Sequence, residues 1–518
     1  MILEILILLI ISTAIRVVFI FTESCDEWIT WHYVKNQSGH KWIEYNVSDS
    51  LLTGFQGSPQ LQYFIVSRFK EKYWALVGNT LNVLYDIISV FLVYFCGHLI
   101  WDGLFATEEF SLEFFAALIY STTPILLPIN ARMVGIKART LGGLLTNIYF
   151  IMLGLVLLFD ISALYLLTSL LFIIAVLGSA FAIQNIIFAT VFLSIYFHTP
   201  TPSLVLIVTG VLAFFTPKLG VREVILHKIN HYNWYFRNIH RTPVKARNNL
   251  FNLIKTPWFL LTNRKQFTKE FFYQQSVLIA AYSLPVVWFF IYNVLQSEDV
   301  MQQIMGTSTY DYFFGLLLAS FTIFIFTSLK PFLFLGEAER YFELSLPFIC
   351  LMYVYTWWQL QGGIITLSLL LLLNLSFILI NYVVMNKGSI SRTLKVDYLS
   401  KEQTELMDFL EHNQRQKIIT VPLKYAHKLS LSRSSEDMLF YYMFITNAMD
   451  GFANMQSVTV AYSYPLNDFE KLKKELNIDT VVVIESEISA SMKDYYLEKL
   501  KSQKTAFSNE KYKVYSID

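Results

Sequence analysis

Apolar stretches long enough to cross a bilayer recur along this chain and constrain it more than any other feature. A helix rising about 1.5 Å per residue needs about 20 residues to cross the hydrocarbon layer. Residues 2–21, 76–101, 110–128, 139–159, 161–178, 180–197, 203–216, 273–296, 312–329, 344–360 and 362–384 meet or approach that length with few charges. A backbone in hydrocarbon must satisfy its own hydrogen bonds, so each stretch is expected to be helical whatever its side-chain propensities. Composition agrees: 55% of the residues are hydrophobic and 15% charged, against about a quarter charged in soluble domains. The expected fold class is an α-helical polytopic membrane protein of about eleven transmembrane helices over 1–384, with a small C-terminal α/β soluble domain over 385–518.

A net charge of +1 excludes the strongly basic balance of a nucleic-acid binder. Cys25, Cys96 and Cys350 are scattered and lack metal-ligand spacing, so they read as packing residues. The N-terminal apolar stretch has no basic leader and no small-residue cleavage site, and is expected to stay as a first helix.

Eleven spans would place 22–75, 129–138, 217–272, 330–343 and the C-terminal region on one face, leaving short connections on the other. Charge argues about orientation. Region 217–272 holds eleven Lys/Arg against Glu223 and Glu270, and the opposite connections are acidic. The positive-inside rule would put the large loops in the cytoplasm. A face that must hold lipid phosphates also needs cations, so the same charges fit an extracytoplasmic active face.

The C-terminal region contains 18 Lys/Arg and 18 Asp/Glu, a soluble balance. Lys417–Val421 with Pro422, Thr480–Ile484 and Lys511–Ile517 read as strands. Leu466–Leu476, capped by Asn467 or Asp468, and Met492–Leu500 read as helices. Alternation of the two types suggests a layered α/β domain with an accessory or docking role.

Three groups of residues could carry chemistry. Asp26-Glu27 follows the first apolar stretch and opens the first outer loop, 22–75; an acidic pair there is either a solvated helix end or a catalytic pair. The loop returns through Gly57-Ser58-Pro59-Gln60-Leu61-Gln62-Tyr63. In Gly336–Pro347, helical spacing would bring Glu337, Arg340 and Tyr341 onto one face, and Glu339 and Glu343 onto another. That is either an internally paired entry to the next span or an arginine presented to a phosphate. Arg132, Lys137 and Arg139 can snorkel or hold an anionic headgroup. Asp86 is an intramembrane acid that should pair with a neighbouring helix or line a cavity floor.

The order of these parts resembles the GT-C superfamily of integral-membrane glycosyltransferases, in particular its dolichyl-phosphate-mannose- and aminoarabinose-transferase-like members. The shared parts are a first span, the Asp26-Glu27 pair, a Pro-containing return (Pro59, Gln60, Tyr63), a second span bearing Asn82 and Asp86, and a late Glu-x-x-Arg-Tyr…Pro element (Glu337, Arg340, Tyr341, Pro347). The return has one Pro and no preceding His, and no Lys or His precedes Glu337; these departures bear on the substrate subtype. The resemblance implies transfer of a sugar from a polyprenyl-phosphate donor to a lipid, glycan or protein acceptor, on the extracytoplasmic side of a bacterial inner membrane. In it Asp26 is the general base, Glu27 its electrostatic neighbour, and Arg340 with Arg132, Lys137 or Arg139 stabilises the departing phosphate. Some members hold a divalent metal at the acidic pair, so a divalent cation beside Asp26 is the one cofactor implied. A transporter or lipid flippase is the alternative, and it would require charges across several spans and repeated broken helices.

Overall fold

The computed structural model describes the chain except residues 18–19, 21–26, 102–109, 127–135, 240–241, 297–301, 303–305, 387–399, 434, 436, 447–456, 462, 502 and 518. The chain forms two compact units: residues 1–25, 75–217 and 244–394 in one, and residues 26–74, 218–243 and 395–518 in the other.

Among the described residues, each expected apolar stretch of the first unit is mainly helical. The helices are Ile2–Arg16, Trp74–Trp101, Leu112–Thr122, Arg139–Phe159, Leu164–Gly178, Ala180–Tyr196, Thr201–Phe215, Ser276–Ser283, Pro285–Gln296, Ser308–Ser328, Phe342–Gln359 and Ile364–Asn386. Among the described residues three helices are individually long and apolar enough to span: Glu71–Trp101, Arg139–Phe159 and Ser308–Ser328. The stretch 273–296 differs from a single straight span. It breaks before Pro285, which has no N–H to give the preceding turn, and its halves meet at 76°. Phe342–Gln359 is the unit's central helix, with Leu344, Leu346, Phe348, Ile349, Cys350 and Met352 all buried. Outward-facing leucines such as Leu166, Leu212 and Leu372 are instead 61–80% exposed, the surface a lipid solvent would cover.

Several charges buried inside this unit have partners on other helices. Arg16 forms an ion pair through its Nε with Asp86, both side chains being buried. Arg16 Nη2 also donates to Ser121 O at 2.9 Å, and Ser12 Oγ meets Ser121 Oγ at 2.9 Å. The first helix is thereby fastened to the helices Trp74–Trp101 and Leu112–Thr122. Asp86 pairs with a neighbouring helix, as one of its two sequence readings required. Near the start of the same helix, Glu4 accepts from Tyr94 Oη and from Ser111 N, both at 2.7 Å.

The second unit is built on a five-stranded sheet. Its strands are β1 (Lys417–Val421), β2 (Leu439–Phe440), β5 (Thr480–Val483), β6 (Thr505–Ser508) and β7 (Lys513–Ser516), after a separate hairpin of β3 (Thr459–Ala461) and β4 (Tyr464–Pro465). The order is β2-β1-β5-β7-β6. β2, β1 and β5 run parallel, and β7 is antiparallel to β5 and β6. Alternation sorts the side chains into two layers. Ile418, Val482 and Val514 pack with Leu406, Met407 and Leu410 of Lys401–His412. Ile419, Val481, Val483 and Tyr515 pack with Phe469, Leu472 and Leu476 of Phe469–Leu476 and with Tyr496 and Leu500 of Ala490–Leu500. Both faces are covered, which is why Thr480–Val483 is a continuous apolar run. Asp468 caps its helix by accepting from Lys471 N at 3.1 Å.

The first outer loop belongs to this unit. A boundary at 384/385 groups residues by sequence, whereas the compact units interleave. Leu51 N donates to Phe440 O and Phe440 N to Asp49 O, both at 2.8 Å, so residues 49–51 extend the sheet beyond β2. Val47 and Leu52 join the core of the Lys401–His412 side. Helix Glu27–Gln37 packs on Ala426–Leu431, with Trp28 stacked on Tyr425 at 5.6 Å and Lys35 Nζ donating to Leu431 O at 2.8 Å. Helix Val221–Asn238 closes the same unit. Its His227 Nδ1 lies 2.8 Å from Thr446 Oγ1, and Gly57 abuts His227 and Glu223 so closely that a Cβ there would collide.

Asp49 is the polar centre of this assembly. It bonds Tyr442 Oη at 2.8 Å and His32 Nε2 at 3.3 Å, and His32 Nδ1 lies 3.1 Å from His427 Nδ1. If His32 donates through Nε2, its Nδ1 must accept from His427. Burial would raise the carboxyl pKa of Asp49, but His32, Arg433 and Tyr442 outweigh it and hold it well below the usual range. Burial pushes the His427 imidazole down, with His32 adding to the effect.

Removing one partner of a buried ion pair costs about 3–5 kcal/mol, whereas replacing both with apolar groups is often neutral. Asp86→Leu should therefore lower thermal stability in detergent sharply, and Arg16→Leu/Asp86→Leu should recover most of the loss. Equal destabilisation of single and double variants would show that the pair is not coupled.

Candidate active site

The late Glu-x-x-Arg-Tyr element follows the short 3-10 turn Lys330–Leu335 and a reversal at Gly336, whose φ of 113° suits glycine. The reversal is held at one carbonyl. Leu335 O accepts from Gln184 Nε2 at 3.0 Å and from Tyr341 Oη at 3.2 Å. Residues Ala338–Tyr341 make one 3-10 turn before the central helix Phe342–Gln359 begins. Glu337 stands just before the turn and forms an ion pair with Arg340, the internal pairing that was one of the two readings of this element.

Two further arginines reach this turn from distant parts of the same unit. Arg247 Nη2 lies 2.8 Å from Glu337 Oε1 and also donates to Tyr273 O at 3.5 Å. Arg139, the first residue of its helix, pairs with Glu343 at the start of the central helix, and its charge also acts on Glu337. The Arg340 guanidinium lies over the Phe181 ring, 5.8 Å from its centroid, and Phe181 packs on Tyr341 at 5.0 Å. The site is thus three guanidinium groups shared between two carboxylates. A small cleft beside Arg139 and Glu343 is lined by Tyr120, Asn147, Phe181 and Asn185.

Burial would raise the Glu337 carboxyl pKa, but Arg340, Arg247 and Arg139 together outweigh it and hold the group well below its ordinary 4.5. Glu339 differs. It is 2% exposed, and among the described residues neither of its carboxylate oxygens has a hydrogen-bond partner. Such a group is costly unless something supplies a donor.

The other sequence candidates fall as follows. Lys137 is half-buried two residues before Arg139. Asp26 and Arg132 lie outside the described residues, and Glu27 is the first residue of helix Glu27–Gln37. Pro59, Gln60 and Tyr63 belong to the second unit. There Gln60 is buried, donating to Ser58 Oγ at 3.0 Å and accepting from Gln37 Nε2 at 3.4 Å. Tyr63 meets Tyr33 edge to face at 5.2 Å. Arg247 was not singled out from the sequence; its only signal was the basic excess of 217–272, shared with ten other cations. Glu343 was noted only as a helical neighbour of Glu339, although its partner is Arg139.

No protein-family model matches the chain, and neither does any curated protein. Solved structures do. The archaeal oligosaccharyltransferase AglB from Archaeoglobus fulgidus, in complex with an inhibitory peptide and a dolichol-phosphate, aligns over 93% of this chain and 69% of its own with a TM-score of 0.53 at 12% identity. The Archaeoglobus fulgidus oligosaccharyltransferase tethered to an acceptor peptide containing the NVT sequon aligns over the same shares at 0.51 and 12%. Its complex with Zn and sulfate aligns over 93% and 68% at 0.50 and 12%. This chain shares the fold of these oligosaccharyltransferases. At such identity the likeness is one of architecture: a helical body with a smaller sheet-containing part toward the C-terminus.

A carboxyl held below its ordinary value stabilises the fold fully above about pH 4.5, and loses that contribution as pH falls through the depressed native value. Glu337→Gln, which leaves the arginines facing a neutral amide, should melt lower than wild type at pH 7. The difference between the two melting temperatures should shrink as pH falls below 4.5. A gap that stays constant would place the stabilisation elsewhere.

Proposed function

We propose that this chain is an integral-membrane glycosyltransferase that moves a sugar or glycan from a polyprenyl-phosphate-linked donor to a lipid, glycan or protein acceptor. The observation that carries the reading is the convergence of Arg139, Arg247 and Arg340 on one turn of a GT-C fold. Planar guanidinium forks suit the oxygens of a phosphate, and carboxylates hold these three in position before any ligand arrives. That one structural neighbour carries dolichol-phosphate and another an acceptor peptide supports a lipid-phosphate donor and leaves a peptide acceptor open.

In the proposed reaction Asp26 removes the proton of the acceptor nucleophile, which attacks the anomeric carbon of the donor sugar. The bond from that carbon to the phosphate oxygen breaks, and polyprenyl phosphate leaves with the electron pair. Glu27 favours the oxocarbenium-like state electrostatically. The arginine cluster, with Arg132 and Lys137, stabilises the negative charge that builds on the leaving phosphate. Pro59, Gln60 and Tyr63 shape the loop that follows the acidic pair. About eleven spans would put the large loops on one common side, which the proposed reading takes as the extracytoplasmic face of a bacterial inner membrane, where flipped lipid-linked sugars are available.

The Zn in one neighbour raises the question of a metal. Among the described residues no group of three His, Cys, Asp or Glu could hold one.

Loss of a general base typically costs about 10²–10⁴-fold in rate. Asp26→Asn should lose at least about a hundredfold of transfer from a polyprenyl-phosphate sugar, measured as release of polyprenyl phosphate by the reconstituted protein. Arg340→Gln should lower turnover by more than it weakens donor binding, because the leaving-group charge develops in the transition state. Wild-type rates in Asp26→Asn would remove it as the base. No release from any donor, with the protein folded, would remove the transferase reading.

A further inference from the structure

Between Arg247 and the break before Pro285, the first unit makes an excursion that begins and ends at one place. Asn248 N donates to Gln274 O at 3.0 Å, Ser276 N to Asn248 Oδ1 at 2.9 Å, and Gln275 Nε2 to Asn249 O at 3.2 Å. Inside the base, Glu270 is fully buried and accepts from Asn252 Nδ2, Gln266 Nε2 and Gln275 Nε2 at 2.6–2.8 Å. The excursion consists mainly of helix Leu250–Thr262, capped by Asn249, and helix Arg264–Lys269, capped by Asn263.

The longer helix is two-faced. At about 100° per residue, Leu250, Phe251, Ile254, Trp258 and Leu261 fall within one arc of about 100°. These five are 63–79% exposed, while Thr256 on the opposite side is buried and Asn252 is bonded to Glu270. Thirteen residues rise about 20 Å, short of the hydrocarbon thickness of about 30 Å, and the chain returns to its starting point. The helix therefore does not span. Its charges are one-sided too. Lys255, Arg264, Lys265 and Lys269 are exposed, and the only acid in the excursion is the buried, satisfied Glu270. Lys255 lies with its Nζ 3.9 Å from the Phe251 ring centroid, an ammonium folded along the apolar face.

We infer that Leu250–Thr262 lies in the plane of the bilayer surface, its apolar arc in the acyl boundary and Lys255, Arg264, Lys265 and Lys269 on the headgroups of anionic phospholipids. An apolar stripe bordered by cations and lacking acids matches that surface in shape and charge. A bilayer of neutral lipid would satisfy the stripe and leave the four cations without partners. The inference needs the chain to be in a membrane and does not depend on the transferase reading. The base that pins the excursion adjoins Arg247, so lipid charge is read one residue from the arginine cluster.

Trp258 is the reporter. The full-length protein and Trp258→Phe are reconstituted in phosphatidylcholine vesicles, with and without phosphatidylglycerol, containing lipid brominated either near the headgroup or at mid-chain. Subtracting the variant's fluorescence isolates Trp258. The expected result is quenching by the shallow label in excess of the deep one, increased by phosphatidylglycerol. Lys255→Gln/Arg264→Gln/Lys265→Gln/Lys269→Gln should keep the shallow quenching and lose the phosphatidylglycerol increment. Deeper quenching at mid-chain, or none attributable to Trp258, would overturn the in-plane placement. An increment that persists in the quadruple variant, or is absent in the wild type, would overturn the headgroup contacts.

Discussion

A buried arginine or carboxylate is held at least cost by an opposite charge, and two such pairs tie the first unit together. Desolvating an ion costs several kcal/mol even after relaxation, and an apolar helical body offers little water to offset it. Arg16 and Asp86 solve the problem between the first helix and the second span, and Arg139 and Glu343 solve it between helices 204 residues apart in sequence. Each pair fixes a register that apolar packing alone would leave loose, since leucine against leucine slides at small cost. Around Glu337 and Glu343 the same requirement is met by three arginines sharing two carboxylates, and on the proposed reading that arrangement would serve as a receptor for an oxyanion.

The helices were legible because their cause is local. Hydrophobicity over about 20 residues and the obligation to satisfy backbone hydrogen bonds act within one segment. The break before Pro285 had a local cause as well, and a single proline inside an otherwise continuous apolar run was not enough to split the segment by eye. The strands of the second unit followed for the same reason: Thr480–Val483 and Lys417–Val421 carry β-branched runs that propensity alone identifies. The two-residue strand β2 carries no such signal and is held between β1 on one side and residues 49–51 on the other.

What stayed hidden was pairing at a distance. Nothing in the text of the first outer loop says that residues 49–51 will extend a sheet whose strands lie some 390 residues later, or that Asp49 will be held by Tyr442 and His32. Nor does it say that the loop's aromatics will pack on the C-terminal region, Trp28 on Tyr425 and His32 against His427 and Tyr442. Arg247 was hidden differently. It sits among eleven cations of one region, and only the fold selects the one that faces Glu337.

If the arginine cluster takes a phosphate, as proposed, its carboxylates have a physical reason to be there. Three unpaired guanidinium groups in a half-buried turn would repel one another and drift toward solvent. Glu337 and Glu343 hold them in place, so the geometry exists before a ligand comes and less ordering entropy is lost on binding. Planarity matters here: a guanidinium can keep one edge on a carboxylate while its other donors turn to a second acceptor, which a lysine ammonium does with less directional control. A phosphate that gains charge during reaction would then strengthen its bonds to the arginines at the expense of the carboxylates. That shift stabilises the departing group more than the bound donor, as catalysis requires of a binding site.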